Sequence, residues 1–290
     1  MGYRSVLHPD IFKNCTIIVT GGGSGIGRCT AHEVASLGAN TILIGRNKEK
    51  LERVQQEIIE DGGLAYYYSC DIRNETDVIE LITTIVNTYG DIHGLVNNAG
   101  GQFPSPLEKI SKNGWDAVIN TNLTGGFIMA REVFKQSMSK HGGSIVNIVA
   151  DMWGGMPGMG HSGAARAGMA NFTQTAAYEW GHAGVRVNAV APGWIASSGM
   201  DTYPDDFKVV LKSLPKAVPL GRLGNEAEIS SSLCFLLSDA ASYISGTVIR
   251  VDGAASQGNT AIYPLAKGEN LKPYKGFHRE IEAELFKSDD

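Results

Sequence analysis

Six short apolar runs, rich in β-branched residues, recur along this 290-residue chain, and longer stretches of helical period separate them. The runs are Thr16 to Thr20, Asn40 to Ile44, Ala65 to Tyr68, Gly94 to Asn97, Ser144 to Ile148 and Val185 to Val190. Strands joined through helical crossovers lie parallel in one sheet and must be covered on both faces. The alternation therefore predicts an α/β fold, a single doubly wound parallel sheet. Its first helix follows Gly27 and stops at Gly38, where Ala31, Val34, Ala35 and Leu37 share one side; its second spans about Lys48 to Glu60. With 43% hydrophobic residues the chain can fill one full-sized core. Two regions lack a strong pattern. Residues 197–218, punctuated by Pro204 and Pro215, read as an insertion; the tail after Gly258 carries Pro264, Pro273 and a short charged amphipathic end, Phe277 to Phe286.

The charge balance narrows the partners. A formal net charge of -5 offers no basic face for nucleic acid or an anionic membrane, so a small molecule is the expected ligand. Cys15, Cys29, Cys70 and Cys234 show neither C-x-x-C spacing nor a dense framework, which reads as reduced thiols and no metal site. Residues 1–14 mix charged and apolar side chains without a signal-like apolar core, and Lys287-Ser288-Asp289-Asp290 is not a Ser-Lys-Leu-type address; a cytoplasmic location is expected.

Thr20-Gly21-Gly22-Gly23-Ser24-Gly25-Ile26-Gly27 closes the first strand and opens the first helix. Glycines there permit a tight turn and let backbone N–H groups and a helix N-terminus approach a dinucleotide pyrophosphate, although a purely structural turn would look similar.

Together with Asn97-Asn98-Ala99-Gly100, Asn122 and Pro192-Gly193, in that order and spacing, this turn resembles the short-chain dehydrogenase/reductase superfamily over roughly residues 12 to 256. The resemblance implies a Rossmann-type domain over 12–256, with a lid at about 197–218, and an extension over 257–290. It implies a nicotinamide cofactor held by Thr20, Gly21, Gly23, Ser24, Gly25, Ile26 and Gly27. Asp71 would meet the adenine amino group beside Ile72, unless it only caps a turn. Asn98, Ala99 and Gly100 would lie against the adenosine ribose, and Ile195, after Pro192 and Gly193, would meet the carboxamide. It also implies a homotetramer formed through the last helix and strand, Ser230 to Leu237 and Ser245 to Gly253, although a buried monomer strand would read the same. At the end of the second strand stands Gly45-Arg46-Asn47-Lys48. Arg46, helped by Lys48, can hold the 2′-phosphate of NADP(H), where an acidic residue would favour NAD; a solvated surface pair is the alternative.

The catalytic slots depart from the family. Its Ser position holds Val149-Ala150, its Tyr position Ser162 and its Lys position Arg166, while Asn122 is kept. A serine hydroxyl is a poor acid and arginine does not shuttle protons, so ordinary ketone reduction is poorly supported. Hydride addition to a conjugated thioester places charge on the thioester oxygen, which needs hydrogen-bond donors first. His161 to Gly168, Gly100 to Phe103 with Ser105-Pro106, and Thr121 to Gly125 look like the peroxisomal trans-2-enoyl-CoA reductase branch. The related 2,4-dienoyl-CoA reductases keep the lysine and recruit a tyrosine at the position of Asp151, so their mechanism does not transfer. The expected activity is NADPH-dependent reduction of the 2,3-double bond of an enoyl-CoA-type thioester. Ser162, His161 and Asn122 would orient or protonate the enolate, with Arg166 on the ribose. His161 could instead be packed at a helix start. Met152, Trp153, Met156 and Met159 suit an acyl chain or simply core packing, and Met200, Tyr203, Phe207 and Leu211 would cover it from the lid. The alternatives are a carbonyl or 3-hydroxyacyl-CoA dehydrogenase, including one for branched or terpenoid acids, and a catalytically silent NADP(H)-binding subunit.

Overall fold

The computed structural model describes residues 2–258 and 271–286; of the expected extension, residues 259–270, with Pro264, and the Lys287 to Asp290 end lie outside them. Seven strands, β1 Thr16–Thr20, β2 Asn40–Gly45, β3 Leu64–Ser69, β4 Ile92–Asn97, β5 Gly143–Ile148, β6 Val185–Pro192 and β7 Val248–Val251, form one sheet in the order β3-β2-β1-β4-β5-β6-β7. Every adjacent pair is parallel. The helices are α1 Gly25–Ser36, α2 Lys48–Glu60, α3 Glu75–Tyr89, α4 Lys112–Ile119, α5 Gly125–Val133, α6 Ser139–His141, α7 Gly160–Trp180, α8 Asp205–Ser213 and α9 Glu226–Leu237. The expected doubly wound α/β architecture is present, and each strand expected from the sequence is found, several of them longer by one or two residues.

The strands divide their side chains between two cores, as a period of two requires. Ile17 and Val19 of β1 and Leu43 of β2 pack with α1, α2 and α9, whereas Ile18, Ile42 and Ile44 pack with α3, α5 and α7. The two halves meet at β1 and β4, where the strand order reverses. There the Thr20 hydroxyl, fully buried, donates to the Val96 carbonyl (3.2 Å) and accepts from the backbone N–H groups of Asn98 and Ala99 (3.0 Å each). The Asn98 side chain returns a bond to the Thr20 carbonyl (3.0 Å). This knot fixes how the glycine turn stands against the loop after β4.

Within the charged amphipathic end, Phe277 to Phe286, Glu284–Phe286 forms a single 3-10 turn, and the apolar residues enter two separate sites. Phe277 lies under the Arg28 guanidinium (4.9 Å to the ring centre) and beside the His32 ring (5.0 Å between centres). His278 and Arg279 both reach the Asp61 carboxylate (2.9 Å each). Farther on, Ala283 is fully buried against Met200 and Leu211 of the 197–218 insertion.

Two outcomes follow from these buried polar groups. Thr20→Val keeps the shape and strands two N–H donors, so the urea midpoint should correspond to a loss of about 1–3 kcal/mol, largely recovered in Thr20→Ser. Glu226, at the start of α9, is held at a pKa of about 7, raised from 4.5 by burial and only partly countered by Arg28. A carboxyl raised on folding contributes stability that is full below its unfolded pKa and lost as pH rises through the folded one. Melting curves should therefore show Glu226→Gln gaining on the parent between pH 5 and pH 8.

Candidate functional site

A crevice runs outside the carboxyl ends of the strands, across the switch point between β1 and β4. Its first compartment, about 540 Å³, lies over the glycine turn and the end of β2. Gly21 and Gly25 there have φ of +67° and +55°, a left-handed region that favours glycine. A Cβ on Gly21 would come within 2.8 Å of Asn98 Nδ2, and one on Gly27 within 2.3 Å of the Gly21 carbonyl oxygen. Gly21, Gly23, Ser24, Asp71, Ile72, Ala99 and Gly100 line this compartment, as does Arg46. Lys48 does not. The Asn47 side chain caps α2 by accepting from Lys50 N–H (2.8 Å), and it is Lys50 that comes to the wall. Asp71 accepts a forked bond from Arg73, with Nε at 2.9 Å from Oδ1 and 3.0 Å from Oδ2. That pairing holds its carboxyl below the usual range, with a smaller contribution from Arg46.

The second compartment, about 470 Å³, continues from Gly21, Ser24, Ala99 and Gly100 to Ile26, Asn98, Arg166, Pro192, Gly193 and Ile195. Ile195 forms an isolated bridge with Gly224 through its neighbours, Ala196 N–H to Gly224 O (2.8 Å) and Gly224 N–H to Trp194 O (3.0 Å). Its own peptide groups take no part. Arg166, on α7, is 9% exposed. One guanidinium nitrogen donates to the Ile148 carbonyl (2.5 Å), and another lies where a Cβ on Gly100 would approach within 2.5 Å. Burial lowers its pKa to about 10, so it remains cationic at neutral pH. No carboxylate among the described residues pairs with it. A buried, unpaired cation is expensive, and beside an open crevice it marks a place for an electron-rich ligand.

Six of the expected site residues stand behind the wall. Thr20, Gly25 and Gly27 shape the turn from inside. Asn122 sits in a π turn, Asn120–Thr124, that interrupts the helix between α4 and α5. Its amide is spent on Gly101, accepting from the N–H (2.8 Å) and donating to the carbonyl (2.9 Å). His161 is fully buried, edge-on to Phe103 (4.4 Å), and its Nδ1 accepts from Ser162 N–H (2.9 Å). That leaves the proton of the neutral ring on Nε2, which has no hydrogen-bond partner among the described residues. Ser162 is also fully buried, and its hydroxyl donates to Gln102 Oε1 (2.7 Å). Ser162, His161 and Asn122 therefore do not line the crevice, because neighbouring groups satisfy or enclose them.

Sequence reasoning passed over Gln102, Lys50 and Arg73. Gln102 lines the second compartment and also a third, about 370 Å³, with Met156, Met159, Trp194, Phe207 and Val210. Its position beside Gly100-Gly101 was a visible signal; its bond to Ser162, 60 residues away, was not. Of the expected acyl-chain residues, Met156 and Met159 line the third compartment. Met152 packs beneath with Val149 and Met169, Trp153 carries Arg250 over its ring (3.7 Å), and Leu211 is buried in the insertion.

Glycine cradle, basic rim and unpaired Arg166 together fit a nicotinamide dinucleotide. Among the described residues no group of three or more His, Cys, Asp or Glu is placed to hold a metal ion, and no helix is long and apolar enough to cross a membrane. A family model described as enoyl-(acyl carrier protein) reductase matches residues 21–256. A probable 2,4-dienoyl-CoA reductase of Bacillus subtilis is 39% identical over 240 residues, covering 82% of this chain and 94% of its own. The 3-oxoacyl-acyl-carrier-protein reductase FabG of Staphylococcus epidermidis is 35% identical over 242 residues, covering 83% and 98%. The solved structure of a citronellol catabolism dehydrogenase, AtuB of Pseudomonas aeruginosa, is 60% identical with a TM-score of 0.80, covering 88% of this chain and all of that one. The chain belongs to the short-chain dehydrogenase/reductase family, near its enoyl-CoA reductase branch, and is an oxidoreductase acting on CH–CH or CH–OH groups.

Proposed function

We propose that this enzyme uses NADPH to reduce the 2,3-double bond of an enoyl-CoA-type thioester. The observation that carries the reading is Arg166: a cation without a carboxylate, at the end of the crevice where the family's proton-transfer pair would stand, while the Ser162 hydroxyl is engaged by Gln102. Such a site favours charge developing on oxygen over immediate proton delivery to it. When bound, NADPH supplies the hydride. Gly21, Gly23 and Ser24 hold the pyrophosphate at the N-terminus of α1, and Arg46, with Lys50 nearby, holds the 2′-phosphate. Asp71, oriented by Arg73, and Ile72 meet the adenine, Asn98, Ala99 and Gly100 the adenosine ribose, and Ile195 after Pro192-Gly193 the carboxamide. Arg166 positions the nicotinamide ribose and places its positive field beside the thioester oxygen. Asn122 supports the site through Gly101, Ser162 through Gln102, and His161 by packing under Phe103. The third compartment, apolar at Met156, Met159, Phe207 and Val210, takes the acyl chain beneath a lid formed by residues 197–218.

Residues 12–256 would form the catalytic unit and 257–290 an extension, in a cytoplasmic homotetramer. The open β7 edge and the exposed Tyr178 and Tyr243 support that assembly. A second reading, a carbonyl or 3-hydroxyacyl dehydrogenase of branched terpenoid substrates, is favoured by the name of the 60% identical structure.

Two assays separate these readings. Crotonyl-, decenoyl- and dienoyl-CoA should drive NADPH oxidation faster than simple ketones or 3-oxoacyl-CoA; turnover of carbonyl substrates alone would sink the enoyl assignment. In Arg46→Ala the kcat/KM for NADPH should fall about 10- to 100-fold, as expected for one charge-assisted phosphate contact, with NADH nearly unaffected. An equal loss with both cofactors would argue against a 2′-phosphate site.

A further inference from the structure

The tyrosine missing from α7 leaves the enolate without a proton donor, and the side chains around that slot lead to another phenol. Ser162 donates to Gln102 Oε1 (2.7 Å), and Gln102 Nε2 in turn donates to the hydroxyl oxygen of Tyr203 (3.1 Å). In this arrangement the Tyr203 hydroxyl accepts, which leaves its O–H proton free to point elsewhere. Tyr203 lines the same compartment as Arg166, Gln102 and Ile195. Its ring is fixed against Phe207 (5.2 Å between centres) and belongs to the cluster formed by Met200, Leu211 and Ala283. Two residues before it, Asp201 accepts the N–H groups of Glu284 (3.2 Å) and Leu285 (3.3 Å), so the C-terminal segment holds this part of the lid in place.

We propose that Tyr203, carried on the lid and oriented by Gln102, is the acid of the reaction, replacing in space the phenol absent from α7. The inference rests on the reductase reading above. As hydride forms the new C–H bond at Cβ, the π pair of the double bond moves into the enolate. Cα then takes the Tyr203 proton: the phenol O–H bond breaks, a Cα–H bond forms, the thioester carbonyl is restored, and the phenolate recovers a proton from water. Arg166 holds the negative charge in the interval. Gln102 is a positioning residue; Tyr203 touches the reacting atoms.

The test is Tyr203→Phe, which keeps the ring packing and removes only the hydroxyl, beside Gln102→Leu, which frees the phenol from its guide. A 2-methyl-enoyl-CoA reduced in deuterated water reports the configuration at Cα. Tyr203→Phe should lose at least ~100-fold in kcat with KM little changed and should give both Cα configurations, because solvent then delivers the proton to either face. Calorimetry without cofactor should show weakened binding of acetoacetyl-CoA, whose enol tautomer takes the phenol's hydrogen bond, and unaltered binding of a saturated acyl-CoA. Gln102→Leu should mainly raise KM. If Tyr203→Phe keeps kcat within threefold and a single configuration, the assignment is overturned; if both variants only raise KM alike, the tyrosine merely latches the lid and the assignment is equally overturned. Should the parent turn over carbonyl substrates alone, the enoyl reading fails separately, and the kcat of Tyr203→Phe on those substrates still decides whether Tyr203 is the acid.

Discussion

The whole site hangs from one buried hydroxyl. Thr20 ends β1 at the point where the chain must turn through glycines, and its Oγ1 joins the two halves of the sheet through Val96, Asn98 and Ala99. A doubly wound sheet opens a crevice wherever neighbouring strands send their crossovers to opposite faces. The crevice alone has no fixed shape. Three bonds to one oxygen-centred group, in a place with no access to water, bring the turn before α1 and the loop after β4 to a set separation. Gly21 and Gly27 then fit only because they lack a Cβ. The glycines make the approach possible, and the threonine holds it.

The readable part of the fold is the part governed by local period. Ile17, Ile18 and Val19 alternate between two cores, and such alternation needs no knowledge of the partner. The second helix, expected over about Lys48 to Glu60, spans Lys48–Glu60, and the Asn47 side chain caps it. The same cap explains the misplacement of the second basic group, since the start of a helix decides which of Lys48 and Lys50 turns toward the crevice. The site was less legible where bonds join distant residues. Ser162 reads as an available donor until Gln102 is seen beside it, and Asn122 as a free amide until the π turn presents both of its groups to Gly101. The placement of the tail was not legible for a different reason: Phe277 is bound by one cluster and Ala283 and Phe286 by another, both built from residues distant in sequence.

Replacing a lysine by a buried arginine changes what the site can hold. Arg166 keeps its charge despite burial, so the field at the end of the crevice is constant with pH in the physiological range. A family member with a titrating Tyr-Lys pair couples its chemistry to proton transfer at oxygen. Here the fixed charge bonds the Ile148 carbonyl and, among the described residues, meets no carboxylate to neutralise it, and Gly100 leaves room beside it. Fixed charge without a shuttle suits a reaction in which charge appears, waits and then disappears at carbon.

The 197–218 insertion is held by residues outside the matched family region, which ends at residue 256. Asp201 receives two backbone N–H groups from Glu284 and Leu285, and fully buried Ala283 fills the space beside Met200 and Leu211. The same segment is anchored at its other end by Phe277 under Arg28 and by His278 and Arg279 on Asp61. It therefore connects α1 and the end of α2 to the 197–218 insertion. Each contact set shortens the loop that the other must close and so lowers its entropic cost. An insertion supported in this way keeps Tyr203 at hydrogen-bond distance from Gln102 before any ligand arrives, the preorganisation that the proposed donor requires.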